Sequence, residues 1–357
     1  MNTKSKISTW QLLSVLLVLR LLSTITFMPI LDVEVGNSDY IFAVAIGGFS
    51  TFIFFIPTFI FLKNGKGLFE ISDKVSQKLT KIIAVLYALF FLIFIFSALV
   101  RMNLFVSAIV FPQKSTALFM VISIAATCYA ASHGLEALGR TGTISLFLFI
   151  GSFIVILLSL IQRVEINNLS PVFYYGIKPV STVIWSAIIR TVEPAVLLIL
   201  LPKVSGKMLK SFAVWIVSFT VITTLLFFFL MTTLGNASLL QLFPIYSMAV
   251  LSRFSVFERM DALLMGMWIF SAFVKVSFLI FLVADMISSN FKKVTLNGAI
   301  VFIGIINSLA VLIASNSLSY FKVTASLLLR SAIFLVFLVI IPIILLIIDK
   351  FYSGAKE

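Results

Sequence analysis

Four basic residues and one acidic residue lie within stretches of the sequence that are otherwise apolar. Arg190 and Glu193 occur in SAIIRTVEPAVLLILLP, Arg20 in LRLLSTITFMP and Lys275 in WIFSAFVKVSFLIF, and Arg101 is the fourth basic residue of this kind. An ionised side chain at the centre of a bilayer costs about 2.5–3.5 kcal/mol even on lenient insertion scales. Charges placed in this way predict a polar site inside a membrane protein.

The spacing around Arg190 predicts an ion pair next to a break in the helix. Arg190 and Glu193 are three residues apart, so on a continuous helix they share one face and can pair. Pro194 removes a backbone donor and disfavours helical geometry at Glu193. Broken backbone at membrane depth is tolerated only where protein or a water-filled cavity covers it. The alternatives are a simple proline kink and an ion pair that only locks helices together.

A similar pattern occurs near the start of the chain. In LRLLSTITFMP, Arg20 is followed by Ser23 and Thr24 and then by Pro29. Interrupted helices at corresponding positions of two halves are a sequence pointer to the binding site of a transporter. The alternative for the two hydroxyls is a hydrogen bond to carbonyls of their own helix.

The balance of charge indicates the kind of ligand. Three cations, Arg20, Arg190 and Lys275, lie near the middle of their apolar stretches together with one acid, Glu193. This excess of positive charge favours an anionic group such as a carboxylate. Lys275 can instead pair with Glu193 or with a backbone carbonyl, or carry a proton. The candidate binding residues are Arg20, Ser23, Thr24, Arg190, Thr191, Glu193 and Lys275.

Enzymatic chemistry has little support in the sequence. The chain contains one histidine, His133, and one cysteine, Cys128. One residue of each type cannot form a zinc site or a nucleophilic triad. We also find no glycine-rich loop that would hold a phosphate. We therefore expect neither an enzyme nor a bound cofactor or metal.

The composition defines the class of protein. Of the 357 residues, 61% are hydrophobic and only 11% are charged, and the mean hydropathy is +1.20. A soluble domain carries about 25% charged residues, so this chain is expected to be an integral membrane protein. The net charge of +13 comes mainly from Lys and Arg in short loops, which is a pattern of membrane orientation and not of nucleic-acid binding.

Ten segments are long and apolar enough to cross a bilayer, which takes about 20 residues. They are residues 8–30, 40–62, 81–110, 115–133, 142–161, 180–202, 211–234, 259–287, 297–315 and 329–348. The sequence thus predicts an all-α protein with a single transmembrane domain over residues 1–357. Ten spans divide into two sets of five, about 8–161 and 180–348, and an odd number in each half is the condition for an inverted repeat.

The loops indicate how the chain is oriented. Fifteen Lys and Arg residues fall in loops on the side of the N-terminus, against seven on the other side. The positive-inside rule therefore predicts that both termini are cytoplasmic. On that side, residues 67–81 are predicted to form an amphipathic helix on the membrane surface. On the other side, the apolar segment 235–257 is expected to pack over the outer mouth.

Several motifs resemble a known family. They are YAASHGLEALGRTG at residues 129–142, LFPIY at 242–246 and FERMDALLMGMWIFSAFVKVS at 257–277. Together with the ten spans, they resemble the B subunit of bacterial spore germinant receptors, a branch of the amino acid–polyamine–organocation superfamily. The resemblance implies a LeuT-like fold of two inverted five-helix repeats. It also implies that helices one and six are broken around a small-molecule site, which helices three and eight line further.

The resemblance also implies a function and partners. The ligand would be a germinant nutrient such as an amino acid, and the chain would assemble with A-type and C-type subunits in the spore inner membrane. The residue roles are a hypothesis from this sequence and not part of the general family pattern: Arg20 or Arg190 would bind the carboxylate and Glu193 the amine. Lys275 would take the place of the inorganic cation of sodium-coupled relatives. The alternatives are a proton-coupled amino-acid transporter that acts alone and a passive ion or water conduit opened by ligand.

Overall fold

A computed structural model describes residues 6–26, 35–112, 115–252, 260–314 and 326–354. Within these ranges the chain is almost entirely helical. The helices of the first half are α1 (Thr9–Ile25), α2 (Asn37–Phe54), α3 (Ile56–Asn64), α4 (Leu68–Val75), α5 (Gln77–Phe105), α6 (Ala117–Ser132) and α7 (Gly134–Leu160). A π-helical turn, Val106–Val110, extends α5.

The second half begins after two short 3-10 turns, Ile161–Arg163 and Ile166–Leu169. Its helices are α8 (Ile177–Ile189), α9 (Glu193–Leu200), α10 (Met208–Leu234), α11 (Pro244–Leu251), α12 (Asp261–Asn290), α13 (Leu296–Ala314), α14 (Leu327–Phe334) and α15 (Ile341–Gly354). The π-helical segment Leu335–Ile340 joins α14 to α15. The 3-10 turns Leu201–Lys203 and Gly235–Leu240 follow α9 and α10.

The described helices support a multi-pass membrane protein. Seven helical stretches are long and apolar enough to span a bilayer, and the pair α2 and α3, bent by 47°, forms an eighth candidate. Two shorter apolar helices, α1 and α6, coincide with the remaining predicted segments. Every predicted segment thus overlaps an apolar helix. The count of ten crossings and the division into two repeats stay predictions.

The predicted break in the sixth segment is confirmed. Helix α8 ends at Ile189 and α9 begins at Glu193, so the three residues from Arg190 to Val192 leave the helix. Pro194 lies in the first turn of α9, where its missing N–H would have no helical partner in any case. The corresponding feature of the first segment, Pro29, lies outside the described residues.

Helix α1 lies at the centre of the bundle. It contacts α7, α9, α10 and α12, and nearly all of its residues from Leu12 to Leu22 are buried. Its start is fixed by a capping box in which the Ser8 hydroxyl accepts from the Gln11 N–H and the Gln11 side chain accepts from the Ser8 N–H. Polar side chains between Leu12 and Leu22 of α1 are therefore buried within the bundle.

Contacts at the end of the bundle where α1 begins, here called the N-terminal face, connect distant parts of the chain. Strand β1 (Ile7–Ser8) pairs in parallel with β2 (Val204–Ser205), the segment that follows α9. The hydroxyl of Thr9 donates to the carbonyl of Ser205 at 3.0 Å. Backbone pairing thus joins the start of α1 to the chain that follows α9 at this face.

Ion pairs stabilise the same face. Lys203 contacts Asp285 of α12 at 2.5 Å, and Asp349 of α15 accepts from Lys66 at 3.1 Å and from Lys74 of α4 at 2.5 Å. Within the amphipathic segment predicted at residues 67–81, the structure has a short helix, α4, and its place on the membrane surface stays a prediction. Helix α4 ends at Val75, because the Ser76 hydroxyl accepts from the Lys78 N–H and caps α5 instead.

The apolar segment 235–257 is structured where it is described. It forms the 3-10 turn Gly235–Leu240 and helix α11, which contacts α10 and α12. Phe243, just before α11, packs its ring 4.9 Å from that of Phe105, which in turn lies 4.2 Å from Trp268. The segment therefore packs on the bundle through buried aromatic rings, and its place over an outer mouth stays a prediction.

Candidate functional site

Arg20 projects from α1 towards the broken helix. Its guanidinium donates from Nη2 to the carbonyl of Ala187 in α8 at 3.1 Å and lies 4.9 Å from the centre of the Phe219 ring. The residue is 7% exposed, and its Nε has no hydrogen-bond partner among the described residues. Since a buried guanidinium donor without a partner is costly, Arg20 is equipped to bind an acceptor group.

Arg190 occupies the break itself, immediately after the last residue of α8. It forms a hydrogen bond with the hydroxyl of Tyr40, which is buried on α2. The Tyr40 ring also packs 5.2 Å from that of Phe227 in α10. Arg190 is therefore positioned by α2 and not, as the sequence spacing suggested, by its own helix.

A small cavity joins these groups. Its volume is about 40 Å³, and its walls come from α1, α2, α8 and α10. The residues that line it are Arg20, Ser23, Thr24, Tyr40, Val44, Gly48, Val183, Ser186, Ala187, Arg190, Phe219, Thr223 and Phe227. A buried water needs about 10–15 Å³ of such space, so this conformation has room for only a few waters. An amino acid would require the cavity to widen.

The hydroxyls of α1 are partly engaged by their own helix. Ser23 donates to the Leu19 carbonyl at 3.0 Å, and Thr24 donates to the Arg20 carbonyl at 3.2 Å. This is the alternative left open for them by the sequence. Thr191 differs, because its hydroxyl is fully buried at the break and has no hydrogen-bond partner among the described residues.

Glu193 does not pair with Arg190, and this part of the prediction is wrong. The Glu193 carboxylate is buried and accepts from the backbone N–H of Val192 at 2.8 Å. The cations that interact with it electrostatically are Arg20 and Lys275. The spacing rule fails because the chain between residues 190 and 193 is not helical, so the two side chains do not share a face.

Lys275 lies on the other side of α1. Its ammonium group donates to the Leu19 carbonyl at 3.1 Å and to the Ser23 hydroxyl at 2.5 Å. It lines a second cavity of about 20 Å³ together with Arg101 and Trp268. Lys275 therefore binds a backbone carbonyl, one of the two alternatives considered. The three cations named together as candidate binding residues do not share one cavity: Arg20 and Arg190 line the first, and Lys275 lines the second on another face of α1.

Two residues near the site escaped the sequence argument. Arg330 of α14, assigned by its position to an outer loop, interacts electrostatically with Arg101 and Arg190. Tyr40 was unnoticed because an aromatic residue near the start of an apolar helix gives no distinctive signal. Arg330 was detectable in principle, since it follows directly on the apolar run SLLL.

Metal binding finds no support among the described residues. Among them, no three His, Cys, Asp or Glu side chains lie close enough together to hold a metal ion. What the site combines is a buried guanidinium, a second arginine at a helix break and unpaired hydroxyl and guanidinium donors. Such a set can bind the carboxylate of a small molecule through charge-assisted hydrogen bonds.

The chain is a multi-pass membrane protein with the LeuT fold, in which the broken helix lies against a central helix with a polar cavity at the break. Two solved structures share this fold. One is Mhp1, a nucleobase-cation-symport-1 family transporter in a closed conformation with bromovinylhydantoin bound (TM-score 0.58, 13% identity, 94% of this chain and 82% of that chain covered). The other is a Na+-coupled sialic acid symporter in a substrate-bound outward-open state (TM-score 0.56, 14% identity, 91% and 78% covered).

The sequence identifies the family more closely than the fold does. Residues 6–320 match the family described as spore germination protein, and the chain belongs to that family. None of the curated proteins compared with the sequence matches it.

Proposed function

We propose that this chain is the nutrient-binding membrane subunit of a spore germinant receptor and that it binds an amino acid through its carboxylate. The observation that carries the proposal is Arg20, whose buried guanidinium lines the cavity at the helix break and keeps an unpaired Nε donor. The family supports a role in spore germination, and the fold supports a small-molecule site within the membrane.

In this proposal the ligand carboxylate binds Arg20. The Nε and Nη donors of an arginine form a planar fork that fits the two oxygens of a carboxylate. Arg190, fixed by Tyr40, provides a second positive charge at the same cavity. The hydroxyl of Thr191 is a further donor at the break.

Glu193 is the proposed partner of the ligand amine. It does not line the cavity in its present form, but it begins α9 directly after the break. The widening that an amino acid requires would bring the cavity towards this carboxylate. Glu193 would then exchange part of its interaction with Arg20 for one with the ligand ammonium group.

Lys275 is proposed to act as a tethered cation. Its ammonium group lies between a backbone carbonyl and a hydroxyl of α1, both of which are oxygen ligands of the kind that alkali cations use. A positive charge held at this position by the protein would remove the need for a coupling ion. We therefore propose that ligand binding is independent of sodium.

The alternative function is proton-coupled transport of an amino acid by this chain alone, and the likeness of the fold to symporters favours it. A passive conduit opened by ligand is the third possibility. In the receptor proposal, the chain assembles with A-type and C-type subunits in the spore inner membrane, with both termini in the cytoplasm.

The test is to measure binding and uptake with the same preparation. A thermal-shift panel of amino acids, sugars and nucleosides on the purified chain identifies a ligand, and vesicles containing the chain alone are then tested for uptake of that ligand with a radiolabel. Stabilisation by an amino acid without concentrative uptake is the expected result. Concentrative uptake driven by a pH gradient would instead establish the transporter, and stabilisation by sugars or nucleosides but not amino acids would contradict the proposed ligand class.

A further inference from the structure

A third and larger cavity lies between α1, α7 and α10 near the N-terminal face. Its volume is about 450 Å³, within the range of about 300–1,000 Å³ that is typical of ligand pockets. It shares no lining residue with the cavity around Arg20. Its walls are mainly apolar and include Leu13, Leu17 and Val214.

The cavity has the depth of one membrane leaflet. Along α1 it is lined from Thr9 to Leu17, and along α10 from Lys210 to Ser218. Eight residues of an α-helix rise about 12 Å. Half of the hydrocarbon thickness of a bilayer is about 15 Å. Because both helices begin at the N-terminal face, the cavity extends from the headgroup region of that face towards the middle of the bilayer.

Charge at the mouth of the cavity favours an anion. Lys210, in the first turn of α10, is the charged residue among those that line it, and its side chain is exposed. The lining contains no Asp or Glu. Trp10, which is 58% exposed, lies at the same end of the cavity, as is typical of tryptophan at the level of lipid headgroups.

Two hydrogen-bond donors of the lining are unused. The Ser14 hydroxyl and the Trp215 indole N–H are both buried and have no partner among the described residues. Buried donors of this kind are normally satisfied. In a phospholipid, the ester oxygens and the phosphate lie just above the acyl chains, so a molecule with its head near Lys210 would bring acceptors to this region.

The features of the lining fit a phospholipid. Its phosphate would meet the positive charge of Lys210, its ester oxygens the unused donors, and an acyl chain the apolar walls. We propose that this cavity binds one anionic phospholipid, with its headgroup on Lys210 and an acyl chain between α1 and α10.

The first test compares two lipids on the purified full-length chain. The chain is incubated with equal amounts of phosphatidylglycerol and phosphatidylcholine that have the same acyl chains, and the bound lipid is counted by native mass spectrometry. We expect one phosphatidylglycerol to be retained in preference. Each basic residue near a membrane surface contributes enough to anionic lipid binding that Lys210→Gln should lower this retention about fivefold.

A matched control lies one turn away. Lys207 precedes α10, is also exposed and does not line the cavity, so Lys207→Gln should retain phosphatidylglycerol like the unmodified chain. Lys210→Arg should retain it as well, because the charge is kept. Equal retention of the two lipids, or equal losses in Lys210→Gln and Lys207→Gln, would overturn the proposal.

The second test locates the acyl chain. Trp215 is only 3% exposed, so bulk lipid around the protein cannot contact it. Phosphatidylglycerol brominated on its acyl chain should quench part of the tryptophan fluorescence, and that part should be absent in Trp215→Phe. Quenching that is the same with and without Trp215 would show that the lipid is outside the cavity and would refute the site.

Discussion

The ammonium group of Lys275 lies 2.5 Å from the hydroxyl of Ser23, and this contact joins α12 to the central helix α1. The same nitrogen donates to the Leu19 carbonyl, so one side chain satisfies two oxygens of α1. Lys275 also interacts electrostatically with Glu193 across the helix break. A single lysine thus connects three helices that surround the proposed binding site.

Replacing this lysine should make the chain sensitive to sodium. In Lys275→Met the two oxygens of α1 and the Glu193 carboxylate lose a cation, and the loss of a hydrogen bond with a charged group costs about 1.5–3 kcal/mol. We expect a lower melting temperature that is partly restored by sodium chloride but not by choline chloride. The unmodified chain is the control and should melt alike in both salts. A Lys275→Met variant that is indifferent to the cation would contradict the tethered-cation role.

Arg20 should be needed as an arginine and not only as a charge. Arg20→Lys keeps the charge but loses the planar fork and the contact with the Ala187 carbonyl. A hydrogen bond between charged groups is worth about 1.5–3 kcal/mol, so the affinity for the stabilising amino acid should fall roughly 10- to 100-fold.

The control for Arg20 is a surface arginine. Arg140 pairs with Glu136 on the surface at 2.6 Å, with 70% of its side chain exposed, so Arg140→Gln should bind the ligand normally. Affinity is measured by isothermal titration on both purified variants. Normal affinity in Arg20→Lys would show that the planar guanidinium of Arg20 is not needed for binding.

Tyr40 should influence binding through Arg190. Tyr40→Phe keeps the ring against Phe227 but removes the hydroxyl that holds Arg190. An ordinary hydrogen bond contributes about 1 kcal/mol, which corresponds to a loss of affinity of about fivefold. Tyr175→Phe, at an exposed tyrosine, is the matched control. If both variants bind equally well, Arg190 does not depend on Tyr40 for its position.

The close approach of α2 to α10 should tolerate no side chain at Gly48. A Cβ atom there would lie 2.5 Å from the Thr220 hydroxyl and 2.6 Å from its methyl group, within the wall of the site. Overpacking of this kind costs about 1–3 kcal/mol, so Gly48→Ala should lower the melting temperature. Thr220→Ala should restore part of that loss in the double variant.

Gly151 provides the control for Gly48. It is also helical, but a Cβ there meets nothing within 4 Å, so Gly151→Ala should be neutral or slightly stabilising because alanine favours helix. A Gly48→Ala variant as stable as Gly151→Ala would show that the two helices can separate without cost.

The sequence was sufficient for the helices and for the position of the break. Segments of a membrane protein must be apolar over their whole length and satisfy their own backbone, so hydropathy locates them within a few residues. Pro194 located the break after α8 because proline disturbs the helix at its own position, whatever the tertiary packing. Arg20 and Arg190 were recognised because charge at membrane depth is expensive wherever it occurs.

The contacts between the charges could not be predicted in the same way. Glu193 faces Arg20 and Lys275 because the helix is broken at residue 190, and the direction of the chain after a break is set by tertiary packing. The separation of Lys275 from Arg20 likewise depends on which face of α1 each helix approaches. The contact of Arg190 with Tyr40 depends on the packing of α2, which is distant in sequence.

The pairing of Ile7–Ser8 with Val204–Ser205 couples the central helix α1 mechanically to the broken helix α8–α9. The start of α1 and the chain that follows α9 are hydrogen-bonded to each other, so neither can swing outwards at the N-terminal face while the other stays in place. A ligand that pushes Arg20 away from the broken helix would have to rotate α1 and α9 about the paired strands β1 and β2. Such a displacement at the ligand would therefore move α1 and α9 together at the N-terminal face.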